Sequence, residues 1–289
     1  MASSTYNVQK QEFLNSVVNK IGKQIYSSTA YVNPLKRLKK GFIENASDIE
    51  EIYVARALGA EYDADGAGAL DRVKPEVSTM YHQESWERAY TVTTQDKQVR
   101  KGFLSKDGVS RLANEIVESM HTGAEYEEYL QCIELLKDIA EGAKFKKTVA
   151  DVKDIESAKA FVKEVKKTIN KMARRSEDFA QVENHCKPDQ MVLLLNEDWD
   201  VEIDVELLAS AFNMDKTKLD ECVKILIPDL GNGVKAMLMD ERALQIYDLF
   251  YEVEPQRNAK GKFTNHHLTV EKMFSWSNLV NVAVFKVAE

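Results

Sequence analysis

The chain has 289 residues, 44% of them hydrophobic and 30% charged, which is ordinary globular composition for one large domain or two modest ones. Its 39 lysines and arginines face 47 carboxylates, and a net charge of −8 argues against a chain built mainly to coat nucleic acid. No apolar run approaches the ~18 residues of a membrane span, the start MASSTYNVQKQE is polar, and the three scattered cysteines (Cys132, Cys186, Cys222) form no CxxC. Secretion, membrane insertion and a disulfide scaffold are therefore not expected, and the cysteines read as reduced thiols.

Charge is unevenly spread. Residues 1–43 hold Lys10, Lys20, Lys23, Lys36, Arg37, Lys39 and Lys40 against the single Glu12, a basic arm on an acidic body. Within it, Phe13, Val17, Ile21 and Ile25 mark one face of a helix over 12–26. Asn33-Pro34 then breaks the chain, because the residue before proline is pushed out of the α region. Residues 49–57 read as a strand, and so does the run Met80–Thr94. The Gly-, Ala- and Asp-rich stretch between them cannot build a core. The two strands predict a projecting hairpin, which is marginal alone and needs a neighbour against it.

Two helices are expected next. Val109 to Met120 form one apolar face, with Ser105 or Asp107 as its cap and a break at Gly123. Tyr126 to Ala140 form a second, longer face ending at Gly142, spanning about 30 Å. A strand at KKTVADV follows, then a helix from Ile155 to Met172 capped by Asp154. The last third is strand-rich: Met191–Leu195, the alternation Trp199/Val201/Ile203, then Val223/Ile225/Ile227. A turn at Gly231-Asn232-Gly233 precedes Val234–Met239, and Leu268–Phe274 and Leu279–Val287 close the chain. Asp204 and Asp215 suit the caps of short helices at 205–212 and 216–222. The class is α+β.

Catalytic chemistry finds little support. Asp63-Ala64-Asp65 opens like a calcium loop, but the fifth and twelfth positions are Ala67 and Lys74, so a solvated turn is expected. His266 and His267 point to opposite faces of a strand and cannot easily share a metal. Phosphate-cradling glycine motifs and a GxSxG elbow are absent, and Cys186 beside His185 is no dyad. Glu127-Glu128 reads as a solvated helix pair. Trp86 and Tyr90 stand apart, since on a hairpin without a core such aromatics mark an interface.

Several segments in order resemble the major capsid protein of tailed bacteriophages, the Hong-Kong-97-type fold. They are NPLKRLKKGFIENASDIEEIYV (33–54), YTVTTQDKQVRKGFLSKDGVSRLANEIVESM (90–120), EYEEYLQCIELL (125–136), VEIDVELLASAFNMDK (201–216), MLMDERALQIYDLFYE (237–252) and HHLTVEKMFSWSNLVNVAVFKV (266–287). LASAFNMDK and the ordered succession carry most of the weight. The resemblance implies an N-arm over 1–46, an extended hairpin loop over 47–94 lying on a neighbouring subunit, and a peripheral domain with its spine helix over 95–146. An axial domain over 147–262 and a return to the peripheral domain over 263–289 complete it.

The implied function is structural: self-assembly through pentamers and hexamers into an icosahedral shell around double-stranded DNA, made in a bacterial cytoplasm and found in the virion. Tyr53, Trp86 and Tyr90 are the candidate contacts between subunits. Lys36, Arg37, Lys39 and Lys40 form the basic N-arm cluster, facing acidic neighbours or the genome. No catalytic residue, metal or cofactor is expected. Partners implied are copies of itself, a separate scaffolding protein, a portal protein and decoration proteins, with weak non-specific contact to DNA and no membrane. Other readings stay open at this point: an encapsulin-like compartment shell, a nucleic-acid-binding protein acting through the arm, and, least supported, an enzyme using Asp63, Asp65 or His266.

Overall fold

The computed structural model describes residues 31–43, 48–59, 61, 72–83, 86–96, 108–153, 155–202 and 222–287. The helix expected over 12–26, the acidic tip with Asp63 and Asp65, and the caps Ser105, Asp107 and Asp154 lie outside them. So do Asp204, Asp215 and the helices at 205–212 and, save Cys222, at 216–222. The chain divides into two compact units. One takes the described parts of residues 1–47, 84–132 and 246–274; the other takes those of 48–83, 133–245 and 275–289.

The second unit is built on a five-stranded sheet in the order β5–β11–β8–β6–β7, with β5 at Phe145–Val149, β6 at Met191–Asn196, β7 at Val223–Ile227, β8 at Val234–Asp240 and β11 at Val282–Val287. The strand MVLLLN, apolar from Met191 to Leu195, is buried at every position because β6 sits inside the sheet, between β7 and β8. β5 is an edge strand, and its exposed Lys146 and Lys147 discourage a further strand from adding there. The amphipathic helix α2 (Ile155–Met172) sets Ala158, Phe161, Val165, Ile169 and Met172 into one core with Leu193, Leu195, Leu238 and Phe285. The turn before β8 has positive φ at Gly231, Asn232 and Gly233, the geometry expected of that triplet.

The expected strand at Trp199/Val201/Ile203 is instead the start of a short helix, α3 (Glu197–Glu202). The Asn196 side chain accepts from the Asp198 backbone N–H at 3.0 Å, and three acidic residues in the first turn suit the helix dipole. Trp199 still goes to the core, edge-on to Phe161 at 5.0 Å. The alternation is a local coincidence overridden by a cap.

The hairpin in this unit pairs β2 (Asp48–Val54) with β3 (Val77–Gln83), in register from Asp48 opposite Gln83 to Val54 opposite Val77. The expected second strand, Met80–Thr94, is therefore two strands. Past residues 84–85 the chain enters β4 (Trp86–Gln95), which belongs to the other unit's sheet.

That four-stranded sheet runs β1–β9–β10–β4, with β1 at Gly41–Phe42, β9 at Leu244–Asn258 and β10 at Phe263–Trp276. The sequence does not announce β9, because its exposed far half, with Pro255 inside it, lacks a clean alternation. The two helices expected on either side of Gly123 are one helix, α1 (Gly108–Gly142), which supplies residues to both units. Gly123 does not break it, because α1 uses that position for close approach. A Cβ there would lie 3.3 Å from Tyr90 Cδ1. Within the first unit Ile116, Met120 and Ala124 pack with Trp86, Leu268 and Val270.

Gly142, at the end of α1, faces Trp276 so closely that a Cβ would meet its ring at 2.5 Å. Gly142→Ala should therefore lower the urea midpoint: displacing a rigid indole costs about 1–3 kcal/mol, more than the up to ~1 kcal/mol of helix propensity gained.

Candidate assembly surfaces

The hairpin β2–β3 has one face turned to its own unit and one turned away. On the inner face His82 is buried, its Nδ1 2.7 Å from Ser275 Oγ and its Nε2 3.1 Å from Glu51 Oε2. Burial alone would raise the Glu51 carboxyl. The hydrogen bonds from His82 and Ser277 and the charge of Arg242 outweigh it and hold the carboxyl below its ordinary value. Tyr53 donates to the Glu183 carbonyl oxygen, and Arg56 Nε donates to the Glu183 carboxylate at 2.9 Å. These bonds hold the hairpin's inner face to its own unit, from His82 near its root to Tyr53 and Arg56 at and just past the far end of β2.

The outer face carries Ile52, Val54, Val77 and Tyr81, all large, apolar or aromatic, and all exposed. Val54 and Val77 are directly paired across the two strands, so they form one patch. Leu58 and Val73, further along the same excursion, are also exposed. A second exposed group lies in the first unit: Tyr126 and Leu130, one turn apart on α1, and Val32. Tyr31 lies beside it, edge-on to Tyr126 at 5.4 Å.

The residues singled out from the sequence fall differently. Tyr53 is half-buried and its hydroxyl is engaged within the unit. The premise that Trp86 has no local core is corrected: it is 6% exposed, edge-on to Phe274 at 5.8 Å, with the Arg88 guanidinium 5.4 Å above its ring. Trp86 lies on β4, opposite Lys272 in a packed sheet, and not on the projecting hairpin. Tyr90 is half-buried against the same core and donates to Glu127 Oε2 at 3.0 Å.

The basic arm cluster is likewise partly turned inward. Asn33 caps a 3-10 turn (Pro34–Leu38) by accepting from Leu35 N–H, while its amide donates to Glu128 Oε1 at 2.9 Å. Lys36 pairs with Glu125 at 2.7 Å. Lys39 pairs with Glu128 at 3.0 Å and Asp248 at 2.6 Å. Lys272 on β10 also reaches Glu128, and Asp248 at 3.3 Å. Arg37 and Lys40 are exposed.

Glu128, expected on a solvated face, is 1% exposed, and Lys272 is 2% exposed. Burial would raise the Glu128 carboxyl; the Lys272 ammonium, then that of Lys39, holds it below its ordinary value. Helical periodicity places residue 128 beside its apolar neighbours. Only the distant lysines make that burial tolerable.

His266 is fully buried, and burial keeps its pKa below the ordinary value; His267 meets Thr91 at 2.8 Å across the sheet. Cys132, Cys186 and Cys222 are free and buried. Among the described residues no group of three or more His, Cys, Asp or Glu is placed to hold a metal, and no helix is long and apolar enough to cross a membrane.

A family model described as Phi29-like phage major capsid protein matches residues 2–286. The major capsid protein of Bacillus phage PZA is 28% identical over 285 residues, covering 96% of this chain and 63% of that protein. The major capsid protein of Bacillus phage B103 is 28% identical over 284 residues, with the same coverage. The chain thus spans about 63% of the length of these curated relatives. In a capsid structure of Staphylococcus phage Andhra, the matching chain aligns with a TM-score of 0.74 at 14% identity, over 93% of this chain and 88% of that one. That likeness is one of fold.

Two outcomes are expected from this geometry. Glu128→Gln leaves two ammoniums to share Asp248 alone and should cost about 3–5 kcal/mol at neutral pH, read by urea denaturation. Because the folded-state pKa of Glu128 is depressed, its contribution is present above the unfolded value of about 4.3 and is lost as pH falls through the folded one. The variant should therefore also show a shallower acid limb. Trp86→Ala removes a core aromatic and should destabilise the subunit by about 3–5 kcal/mol, so that soluble yield drops before any effect on association is seen.

Proposed function

The chain belongs to the Phi29-like phage major capsid protein family, and we propose on that premise that it is a structural subunit of an icosahedral shell around double-stranded DNA, built through pentamers and hexamers and resident in the virion. The observation that carries the proposal is the hairpin β2–β3. Its inner face is hydrogen-bonded to its own unit, yet its outer face presents Ile52, Val54, Val77 and Tyr81 to the outside. A two-stranded ribbon with an open apolar face is the form expected of an arm laid on a neighbouring copy.

In this reading the surface that receives the hairpin is the group Val32, Tyr126 and Leu130 of the next subunit. Donor and receptor are different surfaces, so the contact is heterologous and propagates from copy to copy until a ring and then a shell closes. Each contact can be weak, because closure makes many of them act together. Tyr53 acts by positioning the hairpin. Segment 1–46 serves as the N-arm, 47–94 contains the extended loop, and residues 147–262, with β6, β7 and β8, form the axial domain around the ring centre. Scaffolding, portal and decoration proteins are further proposed partners. The role is structural, with no chemical step assigned to it.

Negative-stain electron microscopy of the purified chain, alone and co-expressed with its neighbouring genes, is the direct test. Closed shells or regular rings are expected, and a persistent monomer in every condition would overturn the reading. For the hairpin, Ile52→Ser with Val54→Ser, and separately Tyr126→Ser with Leu130→Ser, should each abolish shells while far-ultraviolet circular dichroism stays unchanged. Normal shell yield from both would remove the proposed contact and leave the family membership intact.

A further inference from the structure

Residues 144–175 hold eleven lysines and arginines against four carboxylates, in a chain whose net charge is −8. The structure orders much of this charge along one face. Since α2 commits Ala158, Phe161, Val162, Val165, Ile169 and Met172 to the core, its opposite side carries Lys159, Lys163, Lys167 and Lys171, and Arg174 follows just past the helix end. All five are exposed. Lys167 pairs with Glu164 at 3.2 Å, whereas among the described residues Lys159, Lys163, Lys171 and Arg174 form no ion pair.

The arm cluster is different, because Lys36 and Lys39 are already matched by Glu125, Glu128 and Asp248. Among the described residues α2 and the residue just past it therefore carry the densest run of cations without an ion pair, whereas the arm keeps Arg37.

We infer that this face of α2 is a sequence-independent contact for the phosphate backbone of double-stranded DNA. Three features select that ligand. From Lys159 to Arg174 the array extends about 22 Å, a length over which a duplex presents roughly a dozen charges. The donors are mainly lysines, flexible point charges suited to phosphates and not to fixed bidentate reading of bases. No large apolar residue is exposed on α2 from Glu156 onward. A protein partner would be met by aromatic and apolar anchors on a surface depleted in lysine, the reverse of what α2 shows.

The inference rests on the reading of the chain as a DNA-enclosing shell subunit, and its test separates the two. Dispersed full-length subunits would be titrated with a duplex DNA fragment across a salt series, wild type against Lys159→Gln, Lys163→Gln, Lys171→Gln and Arg174→Gln combined. Glutamine keeps the helix propensity, so circular dichroism should be unchanged.

The expected result is a drop of at least about tenfold in affinity at low salt, and a fall of roughly 3–4 in the slope of log affinity against log salt, near 0.9 for each phosphate no longer neutralised. Changing Lys36, Arg37 and Lys40 to Gln together should lower that slope by less. Equal affinity and slope in wild type and the α2 variant would overturn the inference. So would tighter binding of poly-glutamate than of DNA at the same salt, or loss of shells by microscopy with DNA affinity unchanged. A wild type that never forms shells, while the α2 variant still shows the reduced slope, would uphold the DNA face and sink the shell reading alone.

Discussion

Glu128 is a carboxylate that water does not reach, held between two ammoniums. Stripping hydration from three charged groups is expensive, and the arrangement persists only because Lys39, Lys272, Asn33 and Asp248 together satisfy what water has left. Three stretches far apart in sequence must arrive at once: the turn at 33–39, the helix α1 and the strands β9 and β10. A network of this kind contributes less to net stability than to the choice of partner, since any other docking of the 33–43 segment would leave a buried charge unpaired. The two-residue pairing of β1 with β9, too short to fix a register alone, follows from that anchoring.

The hairpin β2–β3 uses the opposite strategy. Its inner face is secured by polar groups with definite geometry, His82 to Ser275 and Glu51, Tyr53 and Arg56 to Glu183. Its outer face carries an apolar patch of Ile52, Val54 and Val77, beside which Tyr81 donates to Glu50 at 2.9 Å within the ribbon itself. Directional bonds fix the inner face of the ribbon, and a non-directional apolar patch on the other face lets it settle on neighbours met in slightly different settings. That division suits a subunit whose identical copies occupy several quasi-equivalent positions, because hydrophobic contact tolerates small rotations that hydrogen bonds do not.

Charge shows a similar separation. Lys36 and Lys39 of the arm are matched inside the unit, the cations of α2 face outward, and the edge strand β5 adds Lys146 and Lys147 to the same stretch of chain. A net negative body limits how tightly the whole molecule can hold a polyanion, while one cationic helix face gives it a local, salt-sensitive grip.

Much of the second unit is legible in the linear chain, and the reason is locality. The 3.6-residue period of α2, the two-sided apolar run of β6, the alternation in β7 and the Gly-Asn-Gly turn each state their conformation within a few residues, and each forms as read. The α+β class follows from the same local signals, whereas the family resemblance rests on the quoted segments and their order along the chain. What the chain could not declare were decisions made by distant partners. Gly123 reads as a break until Tyr90 is laid against it, and Met80–Thr94 reads as one strand until its halves join different sheets. Trp86 and Glu128 read as exposed groups until β10 brings Lys272 and its apolar neighbours over them. Backbone propensity and hydrophobic period are properties of neighbours in sequence. Burial, charge pairing and strand partners are properties of neighbours in space, and only the fold assigns those.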